Sequence, residues 1–325
     1  MCIWLGRHPA VVVSTPDAAR KVLSNPDMAG RTILDVWRAE GHSANSAIVQ
    51  PPGQRWRAMR RFATVELFAK SRLDARQQLR QEKVQELMRR VFEHASRGEP
   101  VDIGHAVFLT VVNLVSRTLF SVDIGSRTET VSTTIEWAMI ELLNCPESMR
   151  MVVEELKLVV GTKSKRQVEE SDINKLPYLQ AVIKETLRLH PPAPLAFQRA
   201  MATVEIEGYI IPKRTNIIIN IWAINRNSDR WIEPEKFAPE RFIGQDISFW
   251  GKDFELIPFS AGRRMCLELP LAYRMLHLVL GSLLYHFDWT LPADVKDNGI
   301  DMTEKYGAVV YRATPLKAIA KKWDE

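Results

Sequence analysis

One stretch of this sequence restricts the fold more than any other: the glycine-containing loop Phe259–Cys266, which runs directly into a long apolar segment. The pattern predicts a helix from about Leu267 to His286, so Cys266 stands just before a helix N-terminus. Free N–H groups and the positive end of the helix dipole lower the pKa of a thiol at that place, and thiolate is the form that binds metal. A lone cysteine is otherwise a small buried hydrophobic residue, and the residues alone leave both interpretations open.

Two neighbours in the loop suit a cofactor. Arg264 adds a positive charge that could pair with an anionic cofactor edge, and Gly262 would let the backbone approach a flat ligand closely. The other cysteines, Cys2 and Cys145, are too few and too far apart for a disulfide framework or a CxxC zinc site, which fits a reducing compartment. Any cysteine chemistry would therefore rest on one residue alone.

The composition is that of a globular protein. Of the 325 residues, 46% are hydrophobic and 26% are charged, which argues against disorder and allows a core large enough to enclose a cofactor. The net charge is +5, and basic residues are scattered among acids, which is typical of solvated helix faces. A basic surface that docks an acidic partner or an anionic membrane is the alternative. The sequence contains no nucleic-acid-binding motif.

Hydrophobic periodicity predicts a mainly α-helical fold with small β-sheets. The predicted helices cover residues 16–23, 56–68, 71–95, 107–120, 130–143, 146–160, 179–189 and 267–286. A strand is predicted at Ala10–Ser14, and short hairpin strands are predicted between Ala202 and Ile221. The apolar stretch Ala106–Val115 is too short to cross a bilayer and contains polar residues, so we predict no transmembrane span.

Three smaller constellations carry weaker signals. Glu185 and Arg188 share a helix face at i, i+3, which in isolation indicates an exposed pair of little energetic value. Trp56 and Arg60 are about one turn apart, so both can face one ligand, although an amphipathic surface helix is the alternative. Thr128–Thr130 places small alcohols beside an acid at a helix start, which is normally a cap.

The loop before the long helix resembles the haem-binding loop of the cytochrome P-450 superfamily, Phe-x-x-Gly-x-Arg-x-Cys-x-Gly. Four of the five fixed positions match: Phe259, Gly262, Arg264 and Cys266. The resemblance extends over nearly the whole chain and is to plant microsomal members of the geraniol- and terpenoid-hydroxylase group. It implies haem b as the cofactor and Cys266 as the axial iron ligand, whose electron donation favours O–O cleavage.

The resemblance also implies residues that hold the haem propionates. In the family's C helix, the residues at the positions of Trp56 and Arg60 contact a propionate. Arg264 in the loop and Arg199, after the predicted helix 179–189, are implied as further propionate partners. A guanidinium fork matches the geometry of a carboxylate.

Two further roles follow from the resemblance. At the family's I helix an acid–alcohol pair, here Glu129 and Thr130, helps to deliver protons to the oxygen. Glu185, Arg188 and Arg241 are implied to form a buried ionic cluster that fixes the fold behind the haem, and breaking one partner of such a cluster is costly.

The chain departs from the family pattern at several places. Glu268 stands where the family has glycine, and we hypothesise weaker haem retention or a lower reduction potential. Ser126–Arg127 replaces the small residues of the oxygen groove, and the F and G helices with the first half of the I helix are expected to be missing, as is the N-terminal membrane anchor. We therefore expect one cytochrome P-450 domain over residues 1–325, internally deleted near 121–130.

The resemblance implies a haem-dependent monooxygenase that hydroxylates a small lipophilic, terpenoid-like substrate. Dioxygen would be the co-substrate, and NADPH–cytochrome P-450 reductase would supply the electrons. Relatives are anchored at the endoplasmic reticulum membrane on its cytosolic face; a chain without the anchor would be cytosolic, with peripheral membrane contact at most. The alternative is an inactive haem-binding remnant or an unstable fragment, because a chain without a pocket roof would lose its oxygen chemistry to peroxide or water.

Overall fold

The computed structural model describes residues 1–33, 37–38, 41–123, 130–161, 166–307 and 309–323. The chain divides into two compact units, each assembled from three sequence segments. The first, which we call the sheet unit, comprises Met1–Arg72, Ala193–Glu235 and Ile247–Leu269. The second, the helical unit, comprises Leu73–Pro192, Lys236–Asp246 and Pro270–Glu325.

A four-stranded sheet organises the sheet unit. In spatial order its strands are β1 (Cys2–Leu5), β2 (His8–Val13), β7 (Asn216–Asn220) and β4 (Leu195–Arg199). Strands β2 and β7 run parallel, and the outer two pairs are antiparallel. The central pair consists of β-branched runs, which suit a pleated, buried surface and place Val12 opposite Ile218.

Helix α1 (Pro16–Ser24) covers the core of this unit. Thr15 caps it by accepting the Ala18 N–H at 3.4 Å, and Pro16 occupies the first helical position, as predicted. Buried α1 side chains such as Val22 and Leu23 join the same hydrophobic cluster as the sheet isoleucines. The other regular elements of the sheet unit are α2 (His42–Asn45), α3 (Gln54–Phe62), the hairpin β5 (Val204–Ile206) and β6 (Tyr209–Ile211), and α10 (Ile221–Ile224).

The helical unit is built around helix α7 (Thr130–Asn144), in which every residue from 132 to 140 is buried. The other main helices are α5 (Gln77–Arg97), α6 (Ile103–Phe120), α8 (Pro146–Val160), α9 (Pro177–Leu189) and α11 (Leu269–His286). The short helices are α4 (Lys70–Asp74), at the junction of the two units, and α12 (Ala293–Asn298). The strands are β3 (Val101–Asp102), β8 (Phe287–Thr290), β9 (Glu304–Tyr306), β10 (Val310–Arg312) and β11 (Lys317–Lys322).

The predicted class, mainly α with small sheets, is confirmed, and most differences lie at helix ends. The helix predicted for 56–68 ends at Phe62 and continues as a single π-helical turn, Ala63–Leu67. The helix predicted for 71–95 is interrupted between α4 and α5. Helix α6 starts four residues before the predicted 107 because Asp102 accepts the His105 N–H at 2.8 Å and caps it.

Helix α6 bears on the prediction that the chain has no transmembrane span. By length and composition alone this 18-residue helix could cross a bilayer. It contains a few polar residues, but its mean hydropathy is still high enough for a membrane span. It is 39% buried within the protein, and buried core helices pass the same test. This helix therefore gives only weak evidence for a span.

The ionic cluster predicted around Glu185 is confirmed. The carboxylate accepts from Arg188 Nε and Nη2 at 2.6 and 2.8 Å and from Arg241 Nε at 2.9 Å, and Glu185 and Arg188 are fully buried. The Ala238 N–H also donates to Glu185, and the Lys236 carbonyl accepts from both arginines. The cluster thus fixes the segment around residues 236–241 to helix α9.

Replacing Glu185 should strongly destabilise the helical unit. Glu185→Gln removes the buried carboxylate charge that pairs with Arg188 and Arg241, and we expect a loss of about 3–5 kcal/mol in the free energy of unfolding, measured by urea titration. The matched control is Glu154→Gln on helix α8, whose carboxylate pairs with Arg150 at 2.8 Å on the surface. That variant should barely move the midpoint, and equal losses would contradict a special role for the cluster.

Candidate functional site

The loop that ends at Cys266 folds back on itself. The Cys266 N–H donates to the Phe259 carbonyl at 3.0 Å, and the chain between them makes a 3-10 turn, Gly262–Arg264, whose first carbonyl accepts the Met265 N–H at 3.2 Å. The ring of Phe259 packs against Phe249, with 5.4 Å between ring centres. The closed loop leaves the Cys266 side chain exposed to solvent.

Gly262 is required here for a reason other than approach to a flat ligand. Its φ is +65°, and a Cβ atom at this position would lie 2.1 Å from the Leu23 carbonyl oxygen of helix α1. Two backbones therefore touch where any other residue would force them apart. The glycine fixes the position of the loop against helix α1, and through the loop it fixes Cys266.

The surroundings of Cys266 act on its thiol in opposite directions. Although one side of the residue is open to solvent, crowding by protein atoms on the other side desolvates the thiol and raises its pKa. The N–H groups of Glu268 and Leu269 and the charge of Arg60 favour thiolate, whereas the charge of Glu268 disfavours it. The thiolate-stabilising helix start predicted from sequence is present, but desolvation outweighs it in the chain by itself. Burial likewise raises the pKa of the Glu268 carboxyl.

Trp56 is the platform on which two arginines stack. The indole is buried, and its N–H donates to the Ala47 carbonyl at 3.0 Å. The guanidinium carbons of Arg264 and Arg60 lie 4.6 and 5.2 Å from the centre of the indole ring system, within cation–π range. The side chain thus positions cationic groups rather than offering its own N–H, which is already bonded.

Three guanidinium groups meet beside the cysteine loop. Desolvation and the charges of Arg31, Arg60 and Arg263 lower the pKa of Arg264 to about 9. Desolvation, and then the charge of Arg60, lower the pKa of Arg31. Desolvation lowers the pKa of Arg60, and the charge of Cys266 partly opposes this shift. Arg60 therefore interacts with the cysteine as well as with the other arginines. We call Arg31, Arg60 and Arg264 the arginine cluster.

The hydrogen bonds of the arginine cluster go to backbone carbonyls. Arg60 donates to Met265 at 2.9 Å, Arg31 to Ile48 and Phe197, and Arg264 to residues that include Ala29 at 2.8 Å and Gln50. Among the residues that the structure describes, no carboxylate pairs with these three groups. Carbonyls hold a guanidinium in place without neutralising it, so the cluster keeps its positive charge for an anion.

The donor set fits an iron porphyrin better than a bare metal ion. Within the described ranges no group of three or more His, Cys, Asp or Glu side chains could hold a metal. Cys266 offers a single sulfur, as an axial position requires, and the arginine cluster offers positive charge for the two carboxylates of a haem b. Sequence reasoning missed Arg31, because only the backbone pairing of its neighbour Gly30 with Arg199 brings it to the site.

The remaining predicted site residues are Arg199, Thr130 and Glu129. Arg199 ends strand β4 in the sheet unit, and its Nε donates to the Arg214 carbonyl at 3.1 Å. Thr130 is the exposed first residue of helix α7 in the helical unit, and its carbonyl accepts the Thr134 hydroxyl at 2.9 Å. Glu129 lies outside the described residues. The cofactor-binding residues predicted from sequence therefore all fall in the sheet unit.

Comparison with known proteins shows the family to which this chain belongs. The sequence model of the cytochrome P-450 family matches residues 1–128 and 125–319. Cytochrome P-450 76C2 of Arabidopsis thaliana is 34% identical over 437 aligned positions, which cover 99% of this chain and 85% of that protein. Geraniol 8-hydroxylase of Swertia mussotii is 33% identical, with 98% and 86% covered.

A solved structure shows the same fold. The structure of a zebra fish cytochrome P-450 with progesterone superposes with a TM-score of 0.86 at 20% identity, covering 99% of this chain and 96% of that one. The alignment to the Arabidopsis relative is longer than the 325-residue chain, so more than a hundred aligned positions have no counterpart here.

Gly262→Ala should disturb the cysteine loop more than an ordinary left-handed glycine does. The added Cβ would meet the Leu23 carbonyl, so the loop must move away from helix α1. The matched control is Gly208→Ala in the β5–β6 hairpin, where φ is +78° and no atom lies within 4 Å of the added Cβ. The control should lose about 1–2 kcal/mol in the free energy of unfolding, from backbone strain alone, and Gly262→Ala should lose more and also bind less haem. Equal losses would show that the close approach does not matter.

Proposed function

Because this chain belongs to the cytochrome P-450 family, we propose that it hydroxylates a small lipophilic, terpenoid-like substrate. The family consists of haem-thiolate monooxygenases, and its cofactor is haem b. The observation that carries the proposal is the exposed Cys266 thiol beside an arginine cluster that no described carboxylate neutralises. The substrate class rests on the geraniol 8-hydroxylases of Swertia mussotii and Catharanthus roseus, 33% and 32% identical to this chain.

Different residues of the sheet unit would hold different parts of the cofactor. Cys266 would bind the iron as thiolate, with the N–H groups of Glu268 and Leu269 stabilising the sulfur charge. Arg60, Arg31 and Arg264 would pair with the haem carboxylates, and Trp56 would hold two of these arginines in place. Arg199 is a further candidate for the same carboxylates. When bound, the haem supplies the oxygen-activating chemistry.

The remaining parts of the proposal follow the family. Glu129 and Thr130 would relay protons from the start of helix α7. NADPH–cytochrome P-450 reductase would supply electrons, and dioxygen would be the co-substrate. The protein would work at the cytosolic face of the endoplasmic reticulum membrane, or in the cytosol with peripheral membrane contact.

A second candidate function has its own support. The family model matches in two segments that meet at residues 125–128, and more than a hundred positions of a relative have no counterpart. This supports an internal deletion near 121–130 that removes the F and G helices. A chain without them would bind haem yet exclude water poorly, and would then be an inactive haem-binding remnant.

The first measurement is the carbon monoxide difference spectrum of the purified, reduced protein. We expect bound haem with a strongly red-shifted Soret band, because Cys266 donates as thiolate, and we expect Cys266→Ser to lose the shift. Cys145→Ser, at the start of helix α8, is the matched control and should keep it. A wild-type spectrum unaffected by Cys266→Ser would overturn the ligand assignment. Product formation from a panel of terpenoids in the presence of the reductase then distinguishes an active monooxygenase from an inactive haem-binding remnant.

Two substitutions at Glu268 separate its bulk from its charge. Glu268→Gly should increase haem retention and raise the reduction potential, because it removes both the bulk of a side chain two residues from Cys266 and a negative charge that opposes the thiolate. Glu268→Gln keeps the bulk, so it should raise the potential without improving retention. Haem occupancy and the midpoint potential are the measurements. If neither variant differs from the wild type, Glu268 is a neutral departure from the family pattern.

A further inference from the structure

A second basic feature of the sheet unit is a cleft of about 370 Å³. Five cationic residues line it: Arg31, Arg38, Arg199, Lys213 and Arg214. The described lining residues include no aspartate or glutamate. Like charges brought together repel each other, so an anionic ligand would stabilise the cleft.

Backbone hydrogen bonds hold the walls of the cleft in place. Gly30 and Arg199 exchange N–H···O bonds of 3.0 and 3.1 Å, which sets Arg31 next to Arg199. A Cβ on Gly30 would lie 2.4 Å from the Arg199 carbonyl, so this close pairing depends on glycine. The Arg214 N–H donates to the Ala200 carbonyl at 2.9 Å. Three chain segments are thus tied to one another before any ligand arrives, which lowers the cost of binding.

Several donors of the cleft remain for a ligand. Arg199 is held in the wall of the cleft by the hydrogen bond from its Nε to the Arg214 carbonyl, and its terminal N–H groups are those proposed for the haem carboxylates. The side chains of Lys213 and Arg214 are exposed and have no hydrogen-bond or ion-pair partner among the described residues. Arg214 has a φ of +74°, a conformation that favours glycine. A strained, exposed arginine at the rim of a basic cleft suggests a binding role.

Haem carboxylates do not account for this much charge. Without Arg38, the arginine cluster and the cleft share Arg31 and together hold six cationic residues: Arg31, Arg60, Arg199, Lys213, Arg214 and Arg264. Haem b carries two carboxylates. Lys213 and Arg214, which lie on the turn between strands β6 and β7, are in none of the motifs that bind the cofactor.

We propose that this cleft binds a phosphate ester, with the side chains of Lys213 and Arg214 on the phosphate oxygens. Guanidinium forks match phosphate geometry, and ammonium groups add charge. The volume is at the lower end of small-molecule sites, and Ile33, Pro51 and Met201 provide apolar surface for an organic part. The ester could be a free small molecule or the headgroup of an anionic lipid. The proposal goes beyond the monooxygenase function and does not require turnover.

The test uses the haem-loaded protein, with haem content read from its absorption spectrum. Glycerol 3-phosphate is titrated by calorimetry against chloride of equal ionic strength, and sedimentation with phosphatidylcholine vesicles is measured with and without phosphatidic acid. The test variant is Lys213→Gln with Arg214→Gly, which removes two charges and puts glycine where φ is positive, so folding should be preserved. Saturable binding that weakens about tenfold or more in this variant supports the site.

The matched control is Arg7→Gln with Lys252→Gln, which removes two exposed charges of the same unit outside the cleft. It should bind like the wild type. An equal loss in the control would reduce the effect to net charge and overturn the proposal. Binding by haem-free protein alone would assign the cleft to the haem carboxylates and would likewise overturn the proposal. No binding at all would also overturn it. Binding of the soluble ester identifies a free ligand, and binding only of the acidic vesicles identifies a lipid; either supports the site.

Discussion

The sheet unit depends on one buried guanidinium. Arg264 leaves the cysteine loop, stacks on Trp56 and donates to carbonyls such as those of Ala29 and Gln50, which lie far away in the sequence. A buried charge is costly unless it is fully hydrogen-bonded, so these carbonyls are constrained to stay where they are. Burial and neighbouring arginines lower its pKa to about 9, which shows how unfavourable the site is for a cation without an anion nearby.

The same constraint explains why the site is suited to an anionic cofactor. Backbone carbonyls accept hydrogen bonds from Arg31, Arg60 and Arg264 and so orient them. Among the described residues, no carboxylate neutralises these three side chains. The repulsion that remains among them would be relieved by the haem carboxylates. The desolvation that disfavours a free thiolate at Cys266 would likewise be offset by iron, because a metal binds the thiolate form. Both conflicts in the protein alone are resolved by the same ligand.

Much of this could be predicted from the sequence, and the exceptions have physical causes. The Glu185 cluster, the Trp56–Arg60 pair and the place of Cys266 before helix α11 follow from short spacings along the chain and from family motifs. The position of Arg31 could not be predicted, because it depends on a backbone pairing between residues that are distant in sequence. Nor could the raised pKa of Cys266, since sequence reveals the helix start but not the desolvation. The close approach of Gly262 to the Leu23 carbonyl could not be predicted either, because the two residues are distant in sequence.

Haem binding and catalysis should therefore be separable properties of this chain. The residues proposed to hold the haem all belong to the sheet unit, where local backbone contacts and Arg264 order them. The junction near residues 121–130 lies in sequence between helices α6 and α7 of the helical unit, and Asp123, near its start, pairs with the buried Lys83 at 3.0 Å. A deletion there would alter the elements that shape a substrate pocket without touching the groups that bind the cofactor. Since selectivity and water exclusion depend on that pocket, a normal haem spectrum would say little about turnover.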